Sequence, residues 1–415
     1  MNEESILIYI LGAILYGTIA FACIRTKISF IHLISLFIIR ITLPLIYLQE
    51  SYEFEFVVWL LLSSISLILG FIITTMRSKK NTPALLASNP ASPNAIQFAL
   101  FIGFTFILYH YAVVGLPILS DNIDMVRFQQ RESGLFGIPS RFAVYFPSLI
   151  LITSVIVYQS KIINKKSFYF WIAVSLFFFV AQGNKSSLLS FVFVLLCTKR
   201  FWNFPVISRK VIAGIILTGV GFLYFTFSKY ATLADTNFVD YMIQRLTYIS
   251  LDPIYTVYRA ESFHVDAIAS SIIINDLTYP IAQVFGSDGS TFNAQLSRHI
   301  YGFNSNQFSV PVTPSIFAYY KYEFGMFASV IACLITGIVI GKIFLKSNKC
   351  HNAENLSILL FCEYQIYTGL ASGNLFYMIL NVGVIIGAYK IAISMYRRMP
   401  TKGKRTLPFP SFQSN

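Results

Sequence analysis

Residues 56–76 read FVVWLLLSSISLILGFIITTM and are followed by Arg77, Lys79 and Lys80. The run is 21 residues long and carries no charge. About 20 apolar residues in a helix cover the ~30 Å of hydrocarbon in a bilayer. With no water at hand, the backbone groups of such a run must be satisfied within the helix itself. The basic cluster marks the cytoplasmic end, since Lys and Arg are retained on that side. This one stretch predicts both a spanning helix and its direction.

Similar runs lie on either side, at 5–23, 28–48, 95–114, 142–160, 168–182, 187–198, 211–228, 324–345, 355–371 and 374–394. Basic residues cluster at alternate ends: Arg25 and Lys27; Lys161, Lys165 and Lys166; Lys199, Arg200, Arg209 and Lys210; Lys346 and Lys349. The tail carries Arg397, Arg398, Lys402, Lys404 and Arg405. The pattern predicts an all-α polytopic integral membrane protein of about eleven transmembrane helices, N-terminus outside and C-terminus inside.

Composition agrees. The 415 residues are 56% hydrophobic and 12% charged, against about 25% charged in a soluble domain. The net charge of +13 is therefore read as topological and not as a nucleic-acid footprint. Cys23, Cys197, Cys333, Cys350 and Cys362 fall in expected spans or on the basic side, so no disulfide is expected. Asn2, Glu3 and Glu4 are the opposite of a basic leader, and the first run is expected to remain as a span.

The expected organisation is N-terminal spans over 1–114, a first outside loop over 115–141, central spans over 142–228, a large outside loop over 229–323, and C-terminal spans with a cytoplasmic tail over 324–415.

Nine cations defy the topological trend and fall on the outer face: Arg127, Arg131, Arg141, Lys185, Lys229, Arg245, Arg259, Arg298 and Lys321. Arginine offers phosphate a planar fork and stays charged. Two like charges 4 Å apart repel by ~4 kcal/mol at an effective dielectric near 20, so a convergent cluster needs an anion. The ordinary alternative pairs each arginine with a nearby acid: Arg131 with Glu132, Arg259 with Glu261, Arg245 with Asp240. Asp121 and Asp124 share one helix face and suit either a cation or a helix start. The histidines, at 32, 110, 264, 299 and 351, are too scattered for a metal site. No phosphate-binding glycine loop or nucleotide fingerprint is present in the sequence.

Gly115-Leu-Pro117 opens an outside loop that carries Arg127 and Arg131, with Gly137 beyond. Gly183-Asn-Lys185-Ser separates two short apolar runs, and Pro311-Val-Thr-Pro314 leads to Tyr322-Glu-Phe-Gly325. With its many spans and one dominant outside loop, the chain resembles the Wzy-type O-antigen polymerases of bacterial polysaccharide assembly. The resemblance implies a GT-C-like glycosyltransferase in the bacterial inner membrane with its active site facing the periplasm. Undecaprenyl-pyrophosphate-linked oligosaccharides would be both donor and acceptor, with no cofactor, no metal and no nucleic acid. Membrane lipid and a polysaccharide chain-length regulator are the implied partners.

In that reading Arg127, Arg131, Arg141, Lys185, Arg245, Arg259 and Arg298 are the pool for a pyrophosphate clamp. The candidates for the base that activates the acceptor hydroxyl are His299, Asp288, Glu261 and Glu323. The alternatives are an O-antigen ligase, with the same donor, and a lipid-linked oligosaccharide flippase. A flippase should carry its charges along a path within the membrane; here they concentrate in outside loops.

Overall fold

The structure is a computed structural model that describes residues 3–26, 29–76, 93–119, 137–182, 187–202, 237–240, 248–259, 271–282, 290–301, 314–350 and 352–399, with isolated positions between 214 and 224. Among the described residues every regular element is a helix. In chain order these are α1 (Glu3–Thr26), α2 (Ser29–Tyr47), α3 (Phe54–Met76), α4 (Pro93–Val114), α5 (Ile138–Gln159), α6 (Lys165–Ala181), α7 (Ser187–Thr198), α8 (Tyr248–Arg259), α9 (Ile272–Ala282), α10 (Phe292–Tyr301), α11 (Ser315–Asn348), α12 (Ala353–Ser372) and α13 (Leu375–Arg398).

Among the described residues six stretches are long and apolar enough to cross a membrane: Glu3–Ile24, Phe54–Met76, Pro93–Leu119, Ile138–Gln159, Ser315–Asn348 and Leu375–Arg398. Ile31–Tyr47 is a shorter apolar helix. This is the architecture of a polytopic helical membrane protein. Most of the run expected at 211–228 lies outside the described residues.

The spans expected at 168–182, 187–198 and 355–371 are helices but are not among these six, and one boundary also differs from the sequence expectation. The span expected at 324–345 is part of the longer α11, which is broken at Gly325 (φ 75°, ψ −178°). The polar Lys321, Tyr322 and Glu323 make the preceding turn read as loop, yet Ile316–Tyr320 are helical and buried.

The chain divides into two compact units, each assembled from separate stretches of sequence. The first comprises Met1–Asn81, Tyr224–Lys346 and Glu363–Leu380. Within it α3 and α11 cross backbone to backbone. A Cβ added at Gly337 would stand 2.1 Å from the Leu67 carbonyl oxygen, and one at Gly70 2.1 Å from that of Leu334. Small residues at such crossings let two helices approach closely where lipid offers no hydrophobic drive between them. Trp59 Nε1 donates to Ser329 Oγ at 2.8 Å in the same interface. At the start of α3, Tyr52, Phe56 and Trp59 pack edge-on or tilted against Tyr255 and Tyr258 of α8.

The second unit comprises Thr82–Leu223, Ser347–Cys362 and Asn381–Asn415. Its centre is α5, which Pro147 interrupts. Proline lacks the N–H that would bond the carbonyl four residues back. Gln182, just past α6, supplies the missing donor: its Nε2 reaches Ala143 O at 2.8 Å and Val144 O at 3.3 Å. Ser175 Oγ donates to the Pro147 carbonyl at 2.8 Å. In the apolar interior this keeps the broken ladder hydrogen-bonded.

Candidate functional site

In the first unit, the described residues of the stretch read as the large outside loop include α8, α9, α10 and the ten-residue part of α11 that precedes Gly325, here called its first half-helix. This half-helix holds the ends of two neighbours. Tyr319 and Glu323 are four residues apart and share a face. The Tyr319 hydroxyl donates to Ile272 O at 2.8 Å. Glu323 Oε2 accepts the Ile272 N–H at 2.9 Å, and its Oε1 takes a short bond from the Ser271 hydroxyl. Glu323 thus caps α9, satisfying a donor that a helix start leaves open. Lys321 projects from the opposite face. Its ammonium donates to Val257 O at 2.9 Å and Tyr258 O at 2.7 Å, carbonyls in the last turn of α8.

The buried acid here is Asp276 of α9, which is 0% exposed. Its Oδ1 accepts the Phe292 N–H at 3.0 Å and the Asn275 amide at 3.2 Å. Asn275 also donates to Ser290 O at 3.1 Å, as does Gln295 Nε2 at 3.1 Å. The start of α10 is therefore locked onto α9. Asp276 Oδ2 has no hydrogen-bond partner among the described residues. The Tyr319 hydroxyl lies beside this carboxyl, but its hydrogen is committed to Ile272. Burial pushes the carboxyl up to about 6; the Phe292 N–H, the Asn275 amide and the neighbouring Tyr319 hydroxyl pull it down, and the Glu323 charge adds to the rise.

Two further buried polar atoms, Asn293 Oδ1 and Ser315 Oγ, also have no partner among the described residues. Asn293 Nδ2 donates to Ser372 O at 2.7 Å. Next to Ser372, Gly373 backs onto the start of α11, where a Cβ would come 3.0 Å from Ser315 O. The rings of Phe292 and Tyr319 meet at 5.2 Å, and those of Tyr319 and Phe376 at 5.4 Å. The start of α10, the start of α11 and the turn between α12 and α13 are thus joined. A carboxylate oxygen and an amide oxygen can only accept, so this neighbourhood suits a donor such as a hydroxyl.

Of the residues proposed from the sequence, Arg298 and His299 lie in the last turn of α10, Arg298 half-buried and His299 exposed. Arg259 ends α8 and is exposed; its Nε pairs with Glu53 Oε1 at 3.1 Å and its guanidinium lies 5.6 Å from the Tyr255 ring. That acid comes from the turn before α3, distant in sequence. Glu323 has both oxygens engaged at α9. Arg141 is half-buried in the first turn of α5, in the second unit. Arg127, Arg131, Lys185, Arg245, Glu261 and Asp288 lie outside the described residues.

Asp276 and Asn293 were not in that set. One sequence signal points to the first: Ile272-Ile-Ile-Asn-Asp276-Leu buries an acid in an apolar run. Among the described residues no group of three His, Cys, Asp or Glu is placed to hold a metal ion. Comparison of the chain with protein-family models, with curated proteins and with solved structures finds no match.

Proposed function

We propose that this chain is a membrane glycosyltransferase that polymerises undecaprenyl-pyrophosphate-linked oligosaccharide repeat units into O-antigen or a related polysaccharide. In this reading it has about eleven GT-C-like spans in the bacterial inner membrane and works at the periplasmic face. The observation that carries the proposal is the polar cluster of the first unit. A stretch too polar to be a span builds a buried set of hydrogen-bonding groups around Asp276, and Arg298 and His299 lie on the helix that this set locks in place. The motifs from Gly115 to Gly325 and the absence of a nucleotide fingerprint in the sequence support the same reading.

The acceptor hydroxyl attacks the anomeric carbon of the donor, and the lipid pyrophosphate leaves with the bonding pair. Preorganised cationic donors stabilise that developing charge; one such donor is typically worth ~3–4 kcal/mol in the transition state. Arg259 is engaged with Glu53 on the surface, which makes Arg298 the first choice among the described arginines.

Lipopolysaccharide profiling of a strain lacking the chain tests the proposal. Core carrying a single repeat unit is the expected product. Bare core with lipid-linked units at the outer face would assign a ligase instead. Units held at the inner face would assign a flippase.

A further inference from the structure

We propose that Asp276 is the catalytic base of the transfer, accepting through Oδ2 the proton of the acceptor sugar hydroxyl. The inference rests on the glycosyltransferase reading and names a group for its unassigned step.

The geometry separates the two carboxylate oxygens. Oδ1 is fixed by the Phe292 N–H and the Asn275 amide. Oδ2 has no such bond. A base needs one oxygen held and one lone pair open. The neighbours suit a hydroxyl as well: Asn293 Oδ1 accepts, and Ser315 Oγ either donates or accepts. Buried groups of this kind are nearly always paired; Oδ2 has no hydrogen bond from the described residues and so keeps a lone pair for a donor. Ser290, Thr291 and Asn293 keep 7–9% exposure each, and an acceptor hydroxyl would approach beside them.

Other titratable groups nearby are already committed. From α11, Tyr319 gives its hydrogen to Ile272 and Glu323 caps α9. Lys321 faces α8. The start of α10 presents the Phe292 N–H, Thr291 and Asn293, while Arg298 and His299 lie about two turns along it. The elevated carboxyl, about 6, matches a base that works at neutral pH.

In the step, the acceptor O–H bond breaks and its proton goes to Oδ2. The acceptor oxygen bonds to the donor anomeric carbon. The bond from that carbon to the pyrophosphate oxygen breaks, and its electron pair leaves with pyrophosphate.

The test uses the full chain in proteoliposomes with lipid-linked repeat unit extracted from cells that lack it. The wild type should extend the unit, with a rate that falls as pH drops through about 6 as the base protonates. Asp276→Asn keeps an acceptor for Phe292 and should melt no lower than wild type at pH 7.5, yet lose activity at least about 100-fold. Asp276→Glu should recover part of it. A ladder from Asp276→Asn within about tenfold of wild type, or a wild-type profile flat from pH 5 to 7, overturns the assignment alone. A wild type that makes no ladder overturns the glycosyltransferase reading, and the assignment with it.

Discussion

Gly325 and Gly337 lie in the same helix, and each requires glycine for a reason the other lacks. A Cβ at Gly325 would meet nothing within 4 Å, but the backbone there has φ 75° and ψ −178°, a region open almost only to glycine. Gly337 has no such dihedral, and its Cβ would lie 2.1 Å from the Leu67 carbonyl oxygen. The half of α11 beyond the break is built for close packing against α3. The half before it is built to hold polar ends. The comparison teaches that one helix can be divided into a load-carrying segment and a site-forming segment by a single residue.

The largest expected effect is at the crossing. Gly337→Val, or Gly70→Val, forces two backbones apart and should abolish monodisperse protein after detergent extraction, as judged by size-exclusion chromatography. Near-normal yield would mean that α3 and α11 do not meet as described.

Gly325→Ala sharpens the contrast, because it adds strain without a clash. A cost of about 1–3 kcal/mol is expected, read as a lower melting temperature with folded protein still recovered. No change in melting would place the break elsewhere.

Asp276 of α9, beside Tyr319 in the half before the break, makes stability depend on pH. Its carboxyl is near 6 when folded and near 3.9 when unfolded, so the native state binds more protons between these values. Its stability contribution is complete below about pH 4 and is lost as pH rises through about 6. The loss is on the order of 3 kcal/mol. Asp276→Asn should flatten this part of the stability profile, measured by thermal unfolding from pH 4 to 8. Persistence of the slope in the variant would assign it to another group.

The smallest effect is expected at Arg259. Its partner Glu53 is about half exposed, and exposed pairs are worth under ~1 kcal/mol. Arg259→Ala should leave both melting and the saccharide ladder nearly unchanged. Arg298→Ala, by contrast, should collapse the ladder to core plus one unit at normal protein levels, with Arg298→Lys rescuing part. Equal ladders from the two alanine variants would remove Arg298 from the clamp.

Six of the expected spans recur among the described residues as helices fit to cross a membrane, and they were legible because their cause is local. The run at 56–76 carries its own length and its own basic flank, and α3 begins at Phe54. The polarity change near Glu323 was also legible and falls two residues before the Gly325 break. What sequence could not supply was partnership. Proximity matched Arg259 with Glu261, which lies outside the described residues, and gave no hint that Glu53 also pairs with it. Asp276 falls in the stretch expected to be the large outside loop, 229–323, where nothing in the sequence sets it apart as a partner of other helices. Its burial depends on Phe292 and Tyr319, residues brought in by two other helices. Likewise nothing near Pro147 announces that Gln182 bonds the carbonyl that proline leaves open.

The half-helix before Gly325 has one more consequence. Through Lys321 it grips the last carbonyls of α8, and through Glu323 the first amide of α9. Residues 260–270 join those two ends, so non-covalent bonds already fasten both sides of that connection. A chain nicked between 260 and 270 should behave as a split protein whose two fragments stay together and co-purify.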